Sequence, residues 1–289
     1  VILFFDPRAT EYGAVYHPER PARLIGSERH LRAQHPDWTW ATPCPAADED
    51  ILRAHSPEHL ARLSLSVDFD TDTPAYPGIM DHARRAAGAA LEVVERALMG
   101  EKCFSLMRPP GHHAARDQAM GFCYLNSIAI AVLYALTRRC DRVAIWDFDA
   151  HHGNGTESIV RGNQRIRFAS VHQFPGYPGT GAISSNNIWN YPVPPRADPD
   201  FHVHELEKVL WKLTGFCPDL LLVSAGFDAF AGDPITNMTL EKEHFALFGS
   251  WLTQVEFPVG AILEGGYSEE LPMLVDAFLT EWEKGVGSR

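Results

Sequence analysis

The segment Asp147-Phe-Asp149-Ala-His151-His152-Gly-Asn154 follows an apolar run at 142–148 and gathers groups that are costly to bury without a partner. If that run is a strand, side chains two apart share a face, so Asp147, Asp149 and His151 form one polar row at its carboxyl end. Carboxylate and imidazole together suit zinc or a neighbouring transition metal. A second run, 219–225, ends in Ser224-Ala-Gly226-Phe-Asp228 and offers one more carboxylate. Asp149, His151 and Asp228 then make three protein ligands, which leaves a position open for water or substrate, as in catalytic zinc sites. Arg108-Pro-Pro-Gly-His112-His113 follows a third run, and neighbouring histidines in such a turn are not expected both to be buried. Two imidazoles near a metal fit general acid–base work at neutral pH. Leu263-Glu-Gly-Gly-Tyr267 closes the last run: its glycines let backbone approach a site, and its phenol is suited to donate to an oxyanion.

Strands are needed to aim these groups. Short apolar runs at 1–5, 103–107, 142–148, 167–172, 219–225 and 258–263 read as strands. Helical patterns lie between them, at 20–34, 78–99, 126–139, 202–214, 239–255 and 269–284. Within 78–99, Ile79, Ala83, Ala86, Ala90, Val94 and Leu98 fall on one face at the 3.6-residue period. The 126–139 segment is apolar nearly all round and ends in Arg138 and Arg139, as suits a buried helix with a cationic end. Alternation of strand and helix predicts an α/β fold, a parallel sheet with helices on both faces. Open sheets of this kind bind ligands at the carboxyl ends of their strands, where the motifs fall. No linker, composition shift or repeat divides the chain, so one domain over 1–289 is expected. The Gly/Pro-rich stretch 174–195 reads as a long loop region.

Of 289 residues, 45% are hydrophobic and 21% charged, the balance of an ordinary globular protein. The longest apolar stretch, 128–136, is about half the length of a membrane span, so no membrane association is expected. With 25 basic and 37 acidic residues the net charge is −12, a sign that repels phosphate backbones and argues against direct nucleic-acid binding. The first residues carry no signal segment, and the five cysteines are odd in number with no CxxC pair. Reduced, buried thiols and a cytoplasmic location are expected.

Taken together, RPPGHHA (108–114), GFCYLN (121–126), DFDAHHGNGT (147–156), PGTG (178–181), SAGFDA (224–229) and LEGGY (263–267) resemble the zinc-dependent histone deacetylase superfamily. That group includes acetylpolyamine amidohydrolases and acetoin-utilisation proteins. HPERPARL (17–24) is similar to its N-terminal motif. The resemblance implies the arginase–deacetylase fold, a three-layer α/β/α domain around a mostly parallel, eight-stranded sheet. It implies Zn2+ on Asp149, His151 and Asp228, and K+ beside Asp147, the backbone of Asp149 and His151, and Ser170. It makes His113 the general base and then acid, with His112 an electrostatic partner oriented by Asp147, and Tyr267 the group that polarises the scissile carbonyl. Gly121, Phe122 and Tyr177 become walls of an acyl-lysine tunnel, Asp72 the rim carboxylate that holds substrate amides, and Arg23 the arginine of a product channel.

There are departures from the family pattern. Asn154 stands where one branch has an aspartate, so His113 is expected to lose a charged partner and keep a hydrogen bond. The 182–190 loop is short and lacks the usual glycines, which implies a more open rim. Ile235 occupies the place of a glutamate gatekeeper in polyamine-preferring eukaryotic relatives, which disfavours that specificity. The expected function is removal of acetyl or other short acyl groups from lysine side chains in proteins or peptides. An acetylpolyamine amidohydrolase is the nearest alternative; an inactive acyl-binding protein is a more distant one.

Overall fold

The computed structural model describes residues 1–65 and 67–285. Eight strands form one sheet: β1 Ile2–Phe4, β2 Thr39–Ala41, β3 Cys103–Ser105, β4 Val143–Asp147, β5 Ile166–Gln173, β6 Ile188–Val193, β7 Leu220–Ala225 and β8 Val259–Leu263. Their order is β2-β1-β3-β8-β7-β4-β5-β6, and every pairing is parallel. Parallel strands pack on both faces and should read as continuous apolar runs. β4, β7 and β8 obey this, with every residue buried.

The helices are α1 Ala22–Gln34, α2 Asp48–Ile51, α3 Pro57–Leu63, α4 Ile79–Ala97, α5 Ser127–Ala135, α6 Asn154–Val160, α7 Pro199–Thr214, α8 Lys242–Leu252 and α9 Leu271–Lys284. The alanine stripe of α4 lets it lie close against α5 and against β3 and β8. A second packed group joins α1, α8 and α9. There Phe148, just past β4, meets Phe227, Phe245, Phe248 and Phe278 with ring centroids 5.5–6.5 Å apart. This cluster anchors the loop after β4; truncating such a ring to alanine costs about 3–5 kcal/mol.

Six strands fall where the sequence predicts them, and two were not anticipated. β6 lies inside the 174–195 stretch read as loop; it is an edge strand, which tolerates its Pro192. β2 is a three-residue edge strand, too short for a period to register. The buried helix expected over 126–139 stops at Ala135, so Arg138 and Arg139 lie beyond its end. All five cysteines are unpaired, but Cys44 and Cys217 are exposed rather than buried. Among the described residues no helix is long and apolar enough to cross a membrane.

Candidate metal centre and substrate pocket

The motifs meet at the carboxyl ends of β3, β4, β7 and β8, four neighbours in the sheet. β4 ends at Asp147, so the predicted polar row is not a strand face: Asp149 and His151 lie in the turn beyond it. The cause is the carboxylates themselves. Asp147 Oδ1 accepts from Asp149 N (3.1 Å) and Asp149 Oδ1 from His151 N (2.8 Å), turns that curl the chain away from extended geometry. The curl still converges the groups. His151 Nδ1 sits 2.8 Å from Asp228 Oδ2 and 3.2 Å from Asp149 Oδ1. One ligand atom from each of Asp149, His151 and Asp228 lies within 4.8 Å of the others.

Backbone fixes both carboxylates. Asp149 Oδ2 accepts from Gly265 N at 2.8 Å and Asp228 Oδ1 from Ala150 N at 2.8 Å. A side chain at Gly265 would put Cβ 2.4 Å from Asp228 Oδ2 and 2.6 Å from Asp149 Oδ2, so glycine is required for this approach. Asp147, Asp149 and Asp228 are all buried, and burial raises the Asp147 and Asp228 carboxyls. Burial also opposes charge on Asp149, yet His112 and His151 hold it well below the usual range. Dense buried anions around one imidazole call for a cation. Two carboxylates and an imidazole nitrogen aimed at one point suit zinc.

The paired histidines are both buried, against expectation, because each finds a polar partner. His112 Nδ1 lies 3.2 Å from Asp147 Oδ2, and its Nε2 lies 3.7 Å from Asp149 Oδ1. Burial disfavours its charge, but Asp149 and Asp147 override this and its pKa is pushed up to about 10. His113 Nδ1 lies 2.7 Å from Asn154 Oδ1, at the start of α6. That oxygen is an acceptor, so Nδ1 carries the proton and Nε2 keeps its lone pair. Burial, then the charges of His112 and His151, hold His113 well below the usual histidine range. Adjacent rings 4.1 Å apart thus carry opposite protonation preferences.

Above them is a 310 Å³ cavity whose lining includes His113, His151, Tyr267, Phe122, Tyr177 and Ile235. Gly121 and, at the mouth, Asp72 also border it, as do His17 and Pro18, the first residues of the HPERPARL motif, to which no individual role was assigned. Phe122 is held at φ 67°, a strained conformation for a bulky residue, with its N–H donating to Thr73 Oγ1 (3.2 Å). Its ring meets Tyr267 edge-on at 5.6 Å; Tyr177 meets His113 edge-on at 5.2 Å.

Arg23 is buried beneath Tyr267, its guanidinium 4.7 Å from the ring centroid. It donates to the carbonyls of Gly266 and Glu264, both at 2.6 Å. Glu19 binds Arg23 and Arg108 together in a buried ion triad. Ser170 pairs in register with Asp147 across β4 and β5. His172 Nε2 lies 3.1 Å from the Gly181 carbonyl and so must donate, which makes its Nδ1 the acceptor for Ser170 Oγ at 2.8 Å. The hydroxyl therefore keeps free lone pairs.

Sequence reasoning assigned no role to Glu264, whose carboxylate accepts from Gly111 N (2.6 Å), His112 N (3.1 Å) and Ser224 Oγ (3.0 Å). It ties the histidine turn to β7. The available signal was an acid directly after the all-buried run of β8.

The histone deacetylase domain model matches residues 17–281. An uncharacterised protein of Synechocystis sp. is 45% identical over 89% of this chain and 90% of its own length. Acetylpolyamine amidohydrolase 1 of Pseudomonas aeruginosa is 36% identical over 70% of this chain and 62% of its own. The crystal structure of the HDA15 HD domain superposes with a TM-score of 0.90 at 30% identity, covering 98% of this chain and 91% of that one. The fold is that of the arginase–deacetylase group, and the chain belongs to the histone deacetylase family.

Proposed function

We propose that the chain is a zinc-dependent amidohydrolase that removes acetyl or other short acyl groups from lysine side chains in proteins or peptides. The observation that carries this reading is the cavity itself. Aromatic walls at Phe122 and Tyr177 lead down to His113, Tyr267 and His151 on its floor. Such a slot accepts a neutral, extended acyl-lysine stem and leaves charge at the mouth.

Asp149, His151 and Asp228 would hold the metal, with His151 using Nδ1. Zinc supplies, when bound, Lewis-acid polarisation of a carbonyl and a lowered pKa for water. His113 takes a proton at Nε2 as water attacks the amide carbon, while Asn154 holds its Nδ1–H and fixes the tautomer. The same nitrogen then returns the proton to the departing amine. The Tyr267 hydroxyl donates to the carbonyl oxygen as that oxygen gains charge. His112, kept cationic by Asp147 and Asp149, stabilises that charge without itself moving a proton. Asp72 at the mouth receives substrate backbone amides, Ile235 closes one side of the slot, and Arg23 borders the product's way out. Asp147 and the free lone pairs of Ser170 support the assignment of a potassium ion between β4 and β5.

Ile235 favours lysine substrates over polyamines, because an apolar side chain there offers a cationic chain no partner. Zinc-loaded protein assayed on acyl-lysine peptides and acetylpolyamines side by side tests the proposal. Faster turnover of peptides is expected; turnover of polyamines alone would overturn the substrate assignment.

A further inference from the structure

Tyr267 follows Gly266, whose φ of +114° marks a backbone with wide latitude. Arg23 grips the Gly266 and Glu264 carbonyls, which holds the oxygen side of the planar Gly266–Tyr267 peptide and leaves its opposite side, the Tyr267 N–H, for a second partner. That N–H donates to Asp233 Oδ2 at 2.7 Å. The other oxygen of the same carboxylate accepts from Ile235 N at 3.0 Å. Asp233 is buried, with 7% exposure, and sits in a turn closed by its own N–H to Phe230 O at 3.0 Å. It does not border the cavity, but both residues it holds do.

We propose that Asp233 is a positioning residue that sets the Tyr267 phenol and the pocket wall at Ile235 in one register, an inference that rests on the deacetylase reading. A carboxylate suits the task because each oxygen accepts one N–H. An asparagine of the same shape offers one oxygen acceptor and turns its amide NH2 toward the other N–H, donor against donor. The coupling makes substrate fit and carbonyl polarisation depend on one side chain: a displaced Ile235 segment pulls on Tyr267, and the reverse.

The test is a double-mutant cycle with Asp233→Asn and Tyr267→Phe in the zinc-loaded protein, joined to amide hydrogen exchange over residues 264–268. Asp233→Asn is expected to retain zinc, lower kcat by about ten-fold or more and speed exchange at the Tyr267 amide. In the Tyr267→Phe background the same change should cost no more than about two-fold, because the group it positions is already gone. Equal losses in both backgrounds, or unaltered exchange at Tyr267, would overturn the inference. Asp233→Ala, which removes both acceptors without adding a donor, serves if the asparagine variant does not fold. A wild-type protein inactive on every acyl-lysine peptide would instead defeat the deacetylase reading, and the exchange experiment would still judge the grip of Asp233 on Tyr267.

Discussion

At the floor of the pocket, Asp147, Asp149, Asp228 and Glu264 are fully buried, and each accepts at least one backbone N–H. At its mouth, Tyr16 beside His17 is 98% exposed, Tyr177 is 43% exposed, and Asp72 faces solvent. The floor is held by main chain that its own acids have folded; the mouth is held by loops with few obligations. Floor geometry therefore resists substitution and fixes the reaction, whereas the mouth can change and alter only which molecule enters.

The comparison breaks most severely at the floor. Asp149→Ala or Asp228→Ala is expected to abolish both metal binding and turnover, since two remaining protein ligands do not retain a catalytic zinc. Full zinc occupancy by metal analysis in either variant would remove that residue from the ligand set.

Tyr267→Phe should keep fold and zinc while lowering kcat by about 10²–10³, the usual cost of one lost oxyanion donor. Near wild-type turnover would return Tyr267 to the role of a wall.

The two histidines sharpen the contrast within the floor. His113→Ala should lose more activity than His112→Ala, because His113 is the neutral ring with a free lone pair. Asn154→Asp places an anion on the Nδ1–H of His113 and stabilises its protonated form. Its pKa rises, so the acidic limb of the rate profile, which marks loss of the free base, moves to higher pH. A limb that stays put in an active, zinc-bearing variant would count against His113 as the titrating base.

At the mouth the effects should be small. Asp72→Asn is expected to raise KM by no more than about five-fold and leave kcat alone, as suits one exposed charge worth up to ~1 kcal/mol. A large fall in kcat would show that the mouth takes part in the chemistry.

The same division explains what could be read from the sequence. The floor was legible because its residues are polar groups placed where a buried strand ends, a pattern with few stable explanations; Asp149, His151 and Asp228 do converge. The strand face assumed for Asp149 and His151 was wrong, since turns made by carboxylates leave no periodic trace. Burial of His112 and His113 was missed because their partners, Asp147 and Asn154, are 35 and 41 residues away, beyond the reach of local pattern. Glu264 sat in the LEGGY motif without a role and Asp233 in no quoted motif, because side chains that bind mainly backbone have no partner type to look for. Edge strands β2 and β6 lacked the apolar runs that marked the buried strands.

The central claim, a zinc-dependent amide hydrolysis on this floor, is tested most directly by stripping the protein of metal and titrating zinc back against an acetyl-lysine peptide. Acetate release should vanish on stripping and return in proportion to zinc, levelling at one ion per chain. Hydrolysis that survives complete metal removal, or zinc that binds at Asp149, His151 and Asp228 without restoring acetate release, would contradict the account.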